Sequence, residues 1–123
     1  MKKISFRKFE HVILPRFRQE INEAESTEDI RKAFVSSIID FCENVFEGSV
    51  SVRYGDVEFK PHEAPYFSLG QRLLEDERIR SVWKESDFRN VIAQLAEQAM
   101  NHYKPFEKHH EKTNAKIRMN IFV

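Results

Sequence analysis

Apolar residues at Phe6, Phe9, Ile13, Phe17 and Ile21 recur at steps of three and four, the signature of one face of an amphipathic helix. Ser5 is placed to cap its start. Pro15 falls inside the pattern, where it removes a backbone donor and crowds the preceding turn. A kink or break near His11–Leu14 is therefore expected. Arg7, Lys8, Arg16 and Arg18 make the outer face of this helix basic.

Ser26-Thr27-Glu28-Asp29 then supplies cap hydroxyls and acidic residues at a helix start. Ile30, Phe34, Ile38, Phe41 and Val45 form one stripe, with Val35, Ile39, Cys42 and Phe46 beside it. So wide an apolar arc predicts a central helix buried on two sides, closed by Gly48.

Val50–Lys60 alternates apolar and polar residues around Gly55-Asp56, which predicts a hairpin with a two-residue turn. That register pairs Tyr54 with Val57, Arg53 with Glu58, Val52 with Phe59 and Ser51 with Lys60. Pro61 and Pro65 bracket a turn, after which Ser68 is a candidate cap for a segment carrying Leu69, Leu73 and Leu74. Glu75-Asp76-Glu77 is placed to restart a helix holding Ile79, Val82 and Trp83; one helix or two both fit. Ser86-Asp87 opens another helix, with Phe88, Val91, Ile92, Leu95, Ala99, Met100 and Tyr103, expected to end at Lys104 before Pro105. Finally Ile117, Met119, Ile121 and Val123 alternate with Lys116, Arg118 and Asn120, which reads as a third strand.

These elements predict one α+β domain over residues 1–123. Its order is ααββααβ, with four or five helices packed on one face of a small three-stranded antiparallel sheet. At 123 residues the chain is long enough to bury one core, and eleven Phe supply large apolar area for it. Three Gly and four Pro argue against a loop-rich or disordered chain. The single cysteine forms no internal disulfide, and no apolar run approaches the roughly 20 residues that span a bilayer. Arg7, Lys8 and Glu10 interrupt any signal-peptide core. A cytoplasmic protein without a membrane partner is the expectation.

Charge changes the picture modestly. The net formal charge is zero, yet residues 1–20 carry six Lys/Arg against two Glu, and residues 102–123 carry five against two. An outward sheet face bearing Arg53, Lys60, Lys116 and Arg118, joined by Arg7 and Arg16 of the first helix, would position phosphates. Tyr54 and Phe59 point inward by alternation, which leaves only Phe122 as an outward aromatic and departs from the pattern of a sheet that stacks bases.

No catalytic constellation emerges, and no cofactor or metal is expected. Glu107-x-x-His110 has the spacing of a di-iron helix motif but lacks the second copy such sites require. His102, His109 and His110 fix no tetrahedral zinc geometry. Cys42 lies on an apolar stripe, where a thiol behaves as a small hydrophobe. The chain has no Gly-x-Ser-x-Gly elbow and no Gly-rich phosphate loop. His11 beside Glu10 and His62 beside Glu63 leave acid–base chemistry open only if folding brings them together.

The expected function is a small non-enzymatic protein-interaction module that self-associates. Its contacts would use Ile117, Met119, Ile121, Phe122 and Val123 as a sheet edge, with Phe67 and Phe106 as further candidates. The alternatives are a nucleic-acid-associated accessory protein using the basic termini and sheet face, and a small His/carboxylate acid–base enzyme.

Overall fold

The computed structural model describes residues 6–122, with side chains described as far as Phe106. Helices α1 (Arg7–Asn22) and α2 (Thr27–Phe46) pack against each other. A 3-10 turn (Tyr54–Asp56) leads into strand β1 (Val57–Phe59), followed by β2 (Phe67–Leu69). Helices α3 (Gln71–Leu74), α4 (Glu77–Glu85) and α5 (Phe88–Phe122) complete the order. Among the described residues the protein is therefore five helices and one two-stranded antiparallel sheet.

The helix starts and stops follow local chemistry. Ser26 Oγ accepts from the Asp29 amide at 3.2 Å, capping α2, and Gly48 takes the left-handed backbone (φ +80°) just past its end. Asp76 caps α4 by accepting from the Arg78 amide at 2.8 Å, so residues 71–85 form two helices. Ser68, expected as a cap, is instead the central residue of β2, and Gly70 stands at the head of α3.

Pro15 does not break α1. Pro15 and His11, the residue whose carbonyl loses its donor, are both exposed, so the interruption falls on the solvent side. The same holds at Pro105, where the residue four before it, Asn101, is exposed and α5 runs on. Continuation of α5 to Phe122 corrects the expected end at Lys104 and removes the expected third strand over 116–122. The eight-residue alternation also places Ile117 and Ile121 four apart, so periodicity alone does not separate strand from helix there. Val123, like the Ser5 cap, lies outside the described residues.

The hairpin at Gly55-Asp56 is likewise replaced. A two-residue turn needs left-handed backbone at its centre, and among the described glycines only Gly48 adopts it. Instead the Asp56 amide donates to the Arg53 carbonyl at 2.9 Å, and the Arg53 amide donates to Asp56 Oδ2 at 2.8 Å, closing a 3-10 turn. Among the described residues the chain upstream has no partner strand. The Ser49 carbonyl accepts from Arg78 and the Ser51 carbonyl from Arg72, at 2.7 and 2.8 Å. β1 pairs downstream, Val57 opposite Leu69, Glu58 opposite Ser68 and Phe59 opposite Phe67. That register buries all four apolar residues on one face.

The core is built around Phe88, the first residue of α5. Its ring stacks on Phe41 of α2 at 5.2 Å between centroids. Phe6, Phe46 and Trp83 meet it edge-on or nearly so, at 6.0, 5.8 and 6.3 Å. A second aromatic group joins Phe34, Phe59 and Tyr103 at 5.3 and 5.7 Å. Phe67, expected as a surface candidate, is buried against Trp83, and Phe106 packs partly against the core. The surplus of Phe is thus largely consumed inside.

Candidate functional site

The corner where α3 hands over to α4 leaves a small apolar groove of about 200 Å³, lined by Leu74, Ile79, Arg80, Trp83 and Lys84. Local sequence explains its shape. Ile79 and Trp83 lie four apart on α4, so both turn inward, and Arg80 and Lys84 form the adjacent row. Leu74, the last residue of α3, is 43% exposed at the corner. Arg80 reaches back across it, its Nε donating to the Leu74 carbonyl at 3.1 Å. Among the described residues neither Arg80 nor Lys84 pairs with a carboxylate. The groove therefore has an apolar floor and a cationic edge.

Trp83 is held by its neighbours. Phe67 and Phe88 pack against it, and the Arg89 guanidinium sits 5.8 Å from the ring centroid. From the sequence Leu74 and Trp83 were apolar residues of two helical segments, and neither they nor Arg80 and Lys84 entered a candidate site. The signal available was the (i, i+4) pair of like charges on α4, an arrangement that mildly destabilises an isolated helix.

The seam between α1 and α2 has the opposite character. One hollow of about 280 Å³ is lined by Val12, Ile13, Arg16, Ser37, Asp40, Glu43 and Asn44. A second, of about 240 Å³, holds Glu20, Glu23 and Asp29 with Lys32. Arg16 is engaged by two carboxylates, Glu20 at 3.0 Å and Asp40 at 3.4 Å. Val12 stands 67% exposed beside Glu43, off the apolar stripe of its own helix.

The residues singled out for phosphate binding fall on separate elements. Arg7 and Arg16 are on α1, Arg53 precedes the 3-10 turn, and Lys60 follows β1. Arg53 and Arg72 converge on Asp56, whose carboxyl is held below the usual carboxylate range, chiefly by its hydrogen bond to Arg72. Lys116 and Arg118 belong to α5, so the sheet face that would have gathered them with Arg53 and Lys60 does not form. Ile117, Met119, Ile121 and Phe122 share that helix, so no strand edge is present there; their side chains and Val123 lie outside the described residues.

The histidines have separate settings. His102 lies between the Gln98 carbonyl and Asn22 Oδ1, His62 packs edge-on against Tyr103, and His11 is exposed. Among the described residues no group of three His, Cys, Asp or Glu side chains stands close enough to hold a metal ion. His109, His110 and the Glu107-x-x-His110 motif have side chains outside the described residues. Among the same residues no helix is long and apolar enough to cross a membrane. No family model, no curated protein and no solved structure matches this chain.

Proposed function

We propose that this domain is a non-enzymatic protein-interaction module whose docking surface is the groove formed by Leu74, Ile79 and Trp83. The observation that supports the reading is an apolar floor beside two cations, Arg80 and Lys84, that lack carboxylate partners among the described residues. Burying an apolar side chain there removes Leu74 and its partner from water, and nearby carboxylates satisfy the edge. The matching ligand is a protein segment that combines a branched apolar residue with Asp or Glu.

A nucleic acid fits the groove less well. Base stacking needs an accessible aromatic face, whereas Trp83 is packed by Phe67 and Phe88 and has Arg89 beside its ring.

Trp83 is the only tryptophan in the chain, so its emission reports on the groove directly. Titration with a synthetic amphipathic peptide of Leu and Glu is expected to shift that emission to shorter wavelength, and Leu74→Lys is expected to abolish the shift. No shift with the peptide overturns the reading. A shift produced by single-stranded oligonucleotide instead of peptide also overturns it, in favour of a nucleic-acid partner.

A further inference from the structure

We propose that the occupant of the Leu74–Trp83 groove is a second copy of this chain, which presents Val12 and Glu43 from its α1/α2 seam. The proposal rests on the docking reading above and names its partner. Among the described residues three large apolar side chains stand exposed: Val12 at 67%, Tyr54 at 50% and Leu74 at 43%. Tyr54 is tethered, its hydroxyl donating to the Lys32 carbonyl at 3.3 Å. Val12 and Leu74 remain, and each sits at a hollow whose charge complements the other.

Beside Leu74 stand Arg80 and Lys84; beside Val12 stand Asp40 and Glu43. Asp40 already meets Arg16, but Glu43 has no ion-pair partner among the described residues, and neither does Lys84. Seating Val12 on the apolar floor brings an unpaired carboxylate to an unpaired ammonium as water leaves, where each ion gains most from its partner. The net formal charge of zero means that copies do not repel one another as they approach. The two surfaces come from different elements, so each copy carries one donor face and one acceptor groove.

That asymmetry makes the inference testable by charge exchange. Glu43→Lys spoils the donor face and leaves the groove intact, and Lys84→Glu does the reverse. Both side chains are exposed without ion-pair partners among the described residues, so both variants are expected to fold. Native mass and Trp83 emission are followed together as protein concentration rises from on the order of 1 µM to 1 mM.

The wild-type chain is expected to exceed its 14.7 kDa mass with concentration, with a matching shift in emission. Each single variant is expected to weaken association by about tenfold or more, the range measured for close charge pairs across interfaces. An equimolar mixture of the two variants recovers association, because one still offers the groove and the other the donor face. Glu43→Lys/Lys84→Glu recovers it in a single chain.

A wild-type chain that stays at 14.7 kDa throughout overturns the proposal, as does association indifferent to both exchanges. If the chain stays monomeric while the Leu/Glu peptide still shifts Trp83 emission, self-pairing falls and the docking reading stands. If neither occurs, both fall.

Discussion

The backbone amide of Phe6 donates to Oδ1 of Asp87 at 2.7 Å, joining the head of α1 to the head of α5 across 81 positions of sequence. The next residue, Phe88, packs its ring against that of Phe6, so one hydrogen bond and one aromatic contact fix the same crossing. A part-buried amide that loses a charged acceptor loses roughly 1.5–3 kcal/mol. Asp87→Ala is therefore expected to lower stability by about 2 kcal/mol in urea unfolding. Midpoints that coincide with wild type would show that the contact contributes nothing net.

Glu10 is 7% exposed, and its Oε2 has no hydrogen-bond partner among the described residues. A buried carboxylate oxygen without a partner costs desolvation that nothing recovers. Glu10→Met, similar in length and apolar, is expected to raise stability by about 1 kcal/mol, or roughly 4 °C in thermal midpoint. A lower midpoint would contradict this account.

Asp56 ties the 3-10 turn to α3, accepting from Arg72 and from the Arg53 amide while its own carbonyl accepts from the Gly70 amide at 2.7 Å. The Arg72 hydrogen bond lowers the Asp56 carboxyl below its ordinary 3.8. A depressed acid favours the folded state above 3.8 and loses that contribution as pH falls through the native value. Acid unfolding of Asp56→Asn is thus expected to show a shallower pH dependence below pH 4, at lower stability near neutrality. An unchanged acid limb would show that the pair is not linked to folding.

Burial pushes the Cys42 thiol up from 9.0 to about 12. Here the sign is reversed. The folded protein keeps the proton that the unfolded chain gives up above pH 9, so stability falls between pH 9 and 12. One proton corresponds to about 1.4 kcal/mol per pH unit. Cys42→Ala is expected to flatten that alkaline loss, though it also leaves a small cavity. At neutral pH a thiol reagent should modify Cys42 only in urea; prompt modification of the native protein would place the thiol at the surface.

Much of the helical architecture was legible in the order of residues, because its causes are local. The stripes of α1 and α2, the Ser26 cap, the Gly48 terminus and the restart at Asp76 each depend on side chains within a turn or two of the backbone they shape. Strands were read less well, because a strand is completed by a partner that local pattern does not name. Val50–Tyr54 alternates as a strand should, yet Arg72 and Arg78 take its carbonyls, and β1 finds Phe67–Leu69. Residues 116–122 alternate too, yet continue α5.

The candidate surface shows the same division. An apolar Val12 on the polar side of α1 is visible in the sequence, and so are the paired cations of α4. That Leu74 is left open beside Trp83, and that Glu43 stands by Val12 without a partner among the described residues, follows from how helices meet at a corner and along a seam. Local propensity and capping chose the helices, since their hydrogen bonds close within a few residues. Tertiary packing chose strand partners, buried faces and exposed residues, because those depend on groups far apart in sequence competing for one core.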